Sequence, residues 1–144
     1  MERTLLDTDT FSEVLRGRDT SIRDKADAYL TVFGRFTLSV TTITELVDGL
    51  RRQRLDDRIA RLLSKLEKER HEIVSLDLEA AKVAGHIFGD LHRIGQPIGR
   101  SDPFIAAIAI HENIPLITGN TKHFERIQAL GYSIQVESWH PAKA

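Results

Sequence analysis

Four polar residues stand where chemistry could be done: Asp7, Glu45, Asp102 and Asn120. Asp7 directly follows an apolar run, Thr4-Leu5-Leu6, that reads as a strand. Glu45 falls in the first turn of the helix expected after a second such run, Thr37 to Val40. Asp102 opens a compact apolar helix, and Asn120 lies two residues beyond a fourth strand-like run, Pro115 to Thr118. If the central strands are neighbours, these side chains converge on one edge of a sheet. Carboxylates held that close repel one another, which raises their pKa values unless a cation offsets the repulsion. An all-oxygen set without His or Cys suits Mg²⁺ or Mn²⁺ rather than zinc. Such an ion activates water and stabilises charge on a phosphodiester during in-line displacement.

Each acid also has a purely structural reading. Thr42-Ile43-Thr44-Glu45 fits a capping box, in which Glu45 merely returns a hydrogen bond to the Thr42 backbone. Asp102-Pro103 fits a helix N-cap followed by proline in the first helical position. Thr10 to Glu13 is another capping-box pattern, and Asp9 is a second candidate cap for the same helix. Taken singly, acids at helix starts are common for these reasons; their joint placement at strand ends is what favours a site.

The elements that would position them alternate in period. Phe11, Val14 and Leu15 mark a short helix closed by Gly17, and Ile22, Ala26, Tyr29, Leu30 and Phe33 a second closed by Gly34. Ile43, Leu46, Val47 and Leu50 begin a helix, and Leu55 to Leu66 continue a helical stripe after a break near Gln53. Ile73 to Leu76 reads as a third strand; Ala80, Ala84, Ile87, Leu91 and Ile94 line a long helix ending at Gly95. Residues 96–101 form the clearest loop, a short helix begins at Thr121, and Ser133 to Val136 supplies the last strand. Short strands alternating with helices imply crossover units: an α/β fold with a mainly parallel sheet covered on both faces. Sites in such sheets gather outside the carboxyl ends of the strands.

Composition sets bounds. A chain of 144 residues and 16.3 kDa is expected to form one domain spanning 1–144. Zero cysteines exclude disulfides and thiolate chemistry and fit a reducing, cytoplasmic setting. No apolar run approaches a membrane span, and Met1-Glu2-Arg3 leads into a strand rather than a signal peptide. A net charge of -1 argues against a strongly basic nucleic-acid binder, so contact with RNA must come from local arginines and bound metal.

Leu5-Leu6-Asp7-Thr8-Asp9, Thr42-Ile43-Thr44-Glu45-Leu46, Pro97-Ile98-Gly99 with Asp102 to Ala107, and Leu116 to Thr121 with Phe124 run in the order of the successive signatures of PIN-domain proteins. The resemblance covers essentially the whole chain. It is closest to the VapC-like toxins of bacterial and archaeal toxin–antitoxin pairs, down to Trp139. It implies a three-layer domain with a five-stranded, mainly parallel sheet, endoribonuclease activity, bound Mg²⁺ or Mn²⁺, a homodimer and an antitoxin encoded beside it. By motif position Asp7, Glu45 and Asp102 hold the metal, Asn120 completes the catalytic set where Asp or Asn occurs, and Thr118 supports it. Two residues depart from the pattern. Arg100 follows the Ile-Gly pair where relatives commonly carry an acid, which implies either a weaker hold on metal or a hand in substrate binding, and Asp9 stands where asparagine is frequent.

The remaining polar residues compete less well. His71, His86, His92, His111, His123 and His140 form no paired-ligand motif, and no histidine is expected as a ligand. The basic stretch from Arg51 to Arg70 reads as a solvated helix face, with an RNA-backbone ramp as its functional alternative. Phe11, Phe33, Phe88 and Phe104 are expected in the core. A haloacid-dehalogenase-type phosphatase would use Asp7 as nucleophile and Asp9 as acid, but Thr118-Gly119-Asn120 lacks its later acidic pair. A receiver-like module would take Asp77 as phosphate acceptor, but Val136-Glu137-Ser138 lacks its lysine. A PIN fold that binds RNA without cutting it is the remaining alternative.

Overall fold

The structure, a computed structural model, describes residues 1–141. Five short strands, β1 (Leu5–Leu6), β2 (Thr37–Ser39), β3 (Glu72–Val74), β4 (Leu116–Ile117) and β5 (Val136–Glu137), form one sheet in the order β3-β2-β1-β4-β5. All four pairings are parallel. Between them run α1 (Thr8–Arg16), α2 (Thr20–Phe33), α3 (Val40–Arg52), α4 (Asp56–Lys68), α5 (Leu78–Arg93), α6 (Asp102–Glu112) and α7 (Thr121–Ala129).

Side chains alternate across a strand, so each central strand feeds two cores. Leu5 and Leu116 pack on one face with Ile87 and Leu91 of α5, Ile105 and Ile108 of α6, and Phe124 and Ile127 of α7. Leu6, Leu38 and Ile117 pack on the other with Phe11 of α1, Ile22 and Tyr29 of α2, and Leu62 and Leu66 of α4. Trp139 joins this second core against Tyr29 and Phe36. The result is the expected three-layer α/β arrangement. Phe11 is buried as expected, whereas Phe88 and Phe104 are only half-buried, packed edge to face 5.1 Å apart.

Several boundaries differ from the sequence reading. Ser39 accepts a hydrogen bond from Thr42 N and starts α3 at Val40, so Glu45 lies in the second helical turn rather than the first. Glu72 is drawn into β3 by Arg3 and Thr37 Oγ1, which shifts that strand towards the amino end of the expected run. The last strand falls at Val136–Glu137 rather than Ser133 to Val136, because these residues stand in register with Leu116 and Ile117. Among the described residues no helix is long and apolar enough to cross a membrane.

The chain winds from β1 outwards through β2 to β3, then returns to place β4 on the opposite flank of β1. The direction of winding therefore reverses between β1 and β4. The carboxyl ends of those two strands carry Asp7 and Thr118, at the crevice where sheets of this class bind ligands.

Candidate active site

Asp7 leaves β1 in an extended conformation and caps α1: its Oδ1 accepts from Thr8 N at 2.8 Å. Its Oδ2 accepts from Thr118 Oγ1, at the end of β4, at 2.7 Å. Both residues are buried. Asp9, in the first turn of α1, is tied to its own backbone and to the end of β4: Oδ1 accepts from Thr10 N at 2.7 Å and Oδ2 from Gly119 N at 2.9 Å. A Cβ at Gly119 would stand 2.8 Å from Asp9 Oδ2 and closer still to His140 Nε2, so a side chain there would force both ends to shift.

Glu45 is not engaged in a capping box. Thr42 N turns to Ser39, and Glu45 Oε1 accepts instead from Thr8 Oγ1 at 2.8 Å, across from α3 to α1. Asp102 is the first residue of α6, with Pro103 second and Ser101 at the cap position, so the N-cap reading fails. Its Oδ2 lies 2.7 Å from His123 Nδ1 in the first turn of α7. Asn120 places its amide 2.9 Å from the same ring nitrogen, while its backbone N–H donates to Thr118 Oγ1 at 3.0 Å. Gly99 lets Asp102 approach the loop, where a Cβ would stand 2.9 Å from Oδ2.

The acids feel one another. Burial first, then the charge of Asp9 and, more weakly, that of Asp102, push the Asp7 carboxyl up to about 7. Hydrogen bonds from Thr118 and Thr8 oppose that rise without cancelling it. Glu45 is also raised, chiefly by burial, with Asp102 and Asp9 adding repulsion. Carboxylates from the end of β1 and from α1, α3 and α6 thus lie close enough to feel one another's charge. Among the described residues, no three His, Asp or Glu side chains close tightly enough to form a finished ligand cage. The donor set still suits a hard divalent cation: it is all oxygen, mutually repelling, and partly desolvated.

Arg100 is exposed and borders a cavity lined by Phe88, Leu91, His92, Pro97, Ile98 and Pro103, one residue removed from Ser101. The basic stretch is exposed and partly neutralised, with Arg51 on Asp56, Arg52 on Asp48 and Lys65 near Glu69. Asp77 is the cap of α5, holding Ala80 N at 2.9 Å, which disposes of it as a phosphate acceptor. Sequence reasoning missed His123, grouped with five scattered histidines, and the Thr8 bridge to Glu45. The one sequence cue for His123 was its place three residues after Asn120, where a helical turn brings side chains together.

This geometry is that of a PIN domain. The PIN-domain family model matches residues 4–130, and the chain belongs to that family. Over 139 residues it is 27% identical to the tRNA(fMet)-specific endonuclease VapC of Shigella flexneri, covering 96% of this chain and 99% of that one. It is 32% identical over 105 residues to ribonuclease VapC1 of Methanocaldococcus jannaschii, covering 73% and 74% respectively. Among solved structures, DNA-bound VapBC from Salmonella typhimurium superposes with a TM-score of 0.79 at 27% identity, covering 97% of this chain and 100% of that chain. VapBC-1 from nontypeable Haemophilus influenzae gives 0.75 at 26%, covering 96% of this chain and 98% of that chain.

Proposed function

We propose that this protein is a metal-dependent endoribonuclease and the toxin of a toxin–antitoxin pair, with residues 1–144 acting as one nuclease domain in the cytoplasm. The observation that carries the reading is Asp7: a buried carboxylate at the β1/β4 crossover, raised to about 7 beside two further acids. Buried repelling acids are a liability to a fold unless a cation uses them. The VapC names of the relatives and the toxin–antitoxin assemblies of the structural neighbours support the same conclusion.

Asp7, Glu45 and Asp102 would hold Mg²⁺ or Mn²⁺, and Asn120 completes the catalytic group at the mouth of the site. Such an ion, when bound, would supply water activation and charge neutralisation at the scissile phosphate. The chain's own contribution is positional. Thr118 and Thr8 N–H fix both oxygens of Asp7, and Thr8 Oγ1 fixes Glu45. Thr10 N–H and Gly119 N–H each take one Asp9 oxygen, so backbone engages both, which disfavours the phosphatase alternative, where Asp9 must present a free oxygen to substrate. Arg100, two residues before Asp102 in the sequence, would bind RNA phosphate, since a guanidinium can engage two oxygens.

The partners are RNA as substrate, a second copy of the chain in a homodimer, and a cognate antitoxin. An antitoxin that places a basic side chain among these partly desolvated acids would compete with the cation. Expression of the protein alone should arrest growth, and co-expression with the product of the adjacent gene should relieve it and yield a co-purifying complex. Growth unaffected by the protein, or arrest indifferent to the adjacent gene, would refute the toxin assignment.

A further inference from the structure

One short segment, residues 118–123, touches two acids of the site: the buried Asp7 through Thr118 Oγ1 and the part-buried Asp102 through His123 Nδ1. We propose that His123 is a positioning residue, whose Nδ1–H holds Asp102 Oδ2 and so fixes the carboxylate that would ligate the cation. The inference rests on Asp102 being a metal ligand, as proposed above.

Three observations carry it. The Nδ1–Oδ2 separation is 2.7 Å, and an ionised carboxylate only accepts, so the bond requires the tautomer that carries its hydrogen on Nδ1. The pair is sheltered: the Asp102 side chain is 15% exposed and that of His123 33%. Asp102 also lies close against the loop, where a Cβ at Gly99 would stand 2.9 Å from Oδ2. One oxygen tied to a ring, beside that loop, restricts rotation of the carboxylate. His123 is itself placed by the first turn of α7, its backbone N–H donating to Asn120 O at 3.2 Å. An Asn120 amide turned to present its oxygen would share the Nδ1 hydrogen and stiffen the ring further.

Outer partners of metal-binding side chains typically contribute about 10- to 100-fold to metal affinity or activity. The chemistry also specifies which substitute should work. The asparagine Nδ2 is the same number of bonds from the backbone as histidine Nδ1, whereas glutamine Nε2 matches the far side of the ring. Calorimetric titration of Mn²⁺ into the RNA-free protein, at fixed pH and ionic strength, reads the effect directly. His123→Ala should weaken Mn²⁺ binding about 10- to 100-fold. His123→Asn should recover most of it, His123→Gln should not, and circular dichroism should show all three folded. If His123→Ala fails to fold, the Asn and Gln variants alone decide.

Parent-like Mn²⁺ affinity in His123→Ala, or rescue by Gln in preference to Asn, overturns the proposal. Asp102→Asn in the same titration separates the two layers. If it binds Mn²⁺ as the parent does, the metal reading itself has failed. If it loses binding while His123→Ala does not, only the role given to His123 has failed.

Discussion

Replacing Asp7 by asparagine should abolish RNA cleavage and, in the metal-free protein, raise stability. The carboxyl moves from its ordinary 3.8 to about 7 on folding, which corresponds to about 4 kcal/mol against the ionised form. For an acid raised in this way the penalty is absent below about pH 4, builds as pH climbs to about 7, and is complete above that. Asparagine keeps the size, accepts from Thr8 N with its oxygen and donates to Thr118 with its nitrogen, so both contacts survive. Imperfect geometry reduces the expected gain to about 1–3 kcal/mol, or about 3–10 °C in Tm for a chain of this size. Thermal melts in EDTA at pH 8 and pH 5 read it directly. The gain should be largest at pH 8 and fall below half by about pH 5. Excess Mn²⁺ should then narrow the gap by stabilising only the parent. An Asp7→Asn protein no more stable than the parent at pH 8, or a gain independent of pH, would refute the reasoning.

The same site makes three further predictions. Gly99→Ala drives a methyl into Asp102 Oδ2; kcat at limiting Mg²⁺ should fall about tenfold or more while the melting curve barely moves, since small displacements of catalytic groups are costly. Asp9→Asn should retain substantial nuclease activity, because its oxygen can still accept from Gly119 N; complete inactivity would revive the phosphatase reading. Arg100→Ala should raise KM for a short RNA with kcat less affected and a shallower salt dependence, whereas Arg100→Asp should tighten Mn²⁺ binding; unchanged KM and metal affinity would remove Arg100 from the site.

The layered fold was legible in the sequence because its signals are local. Period-3.6 stripes such as Ile22-Ala26-Tyr29 and helix-ending glycines such as Gly17 and Gly34 act within a turn or two, and the structure keeps both. Strand limits were less legible, since two- and three-residue strands are bounded by partners rather than by pattern. Glu72 enters β3 because Arg3 and Thr37 bind its carboxylate. The acids Asp7, Glu45 and Asp102 were picked out by their places near strand ends, but not the contacts that hold them. Glu45 sits at capping-box spacing from Thr42, and only the Ser39 cap three residues earlier frees it for Thr8. Asp102 likewise reads as a cap until His123, 21 residues away, claims its Oδ2. Contacts across such separations depend on the sheet order β2-β1-β4, which no local window contains.

We propose that Asp7 and Asp102 hold the cation on which RNA cleavage depends. The most direct test is cleavage of one end-labelled RNA by the purified protein with Mg²⁺ or Mn²⁺ titrated at fixed ionic strength, beside Asp7→Asn and Asp102→Asn. The parent should cleave in proportion to metal occupancy and stop on chelation. Both variants should stay folded and leave the RNA intact at every metal concentration. Cleavage that survives EDTA, or full activity in either variant at saturating metal, would contradict it.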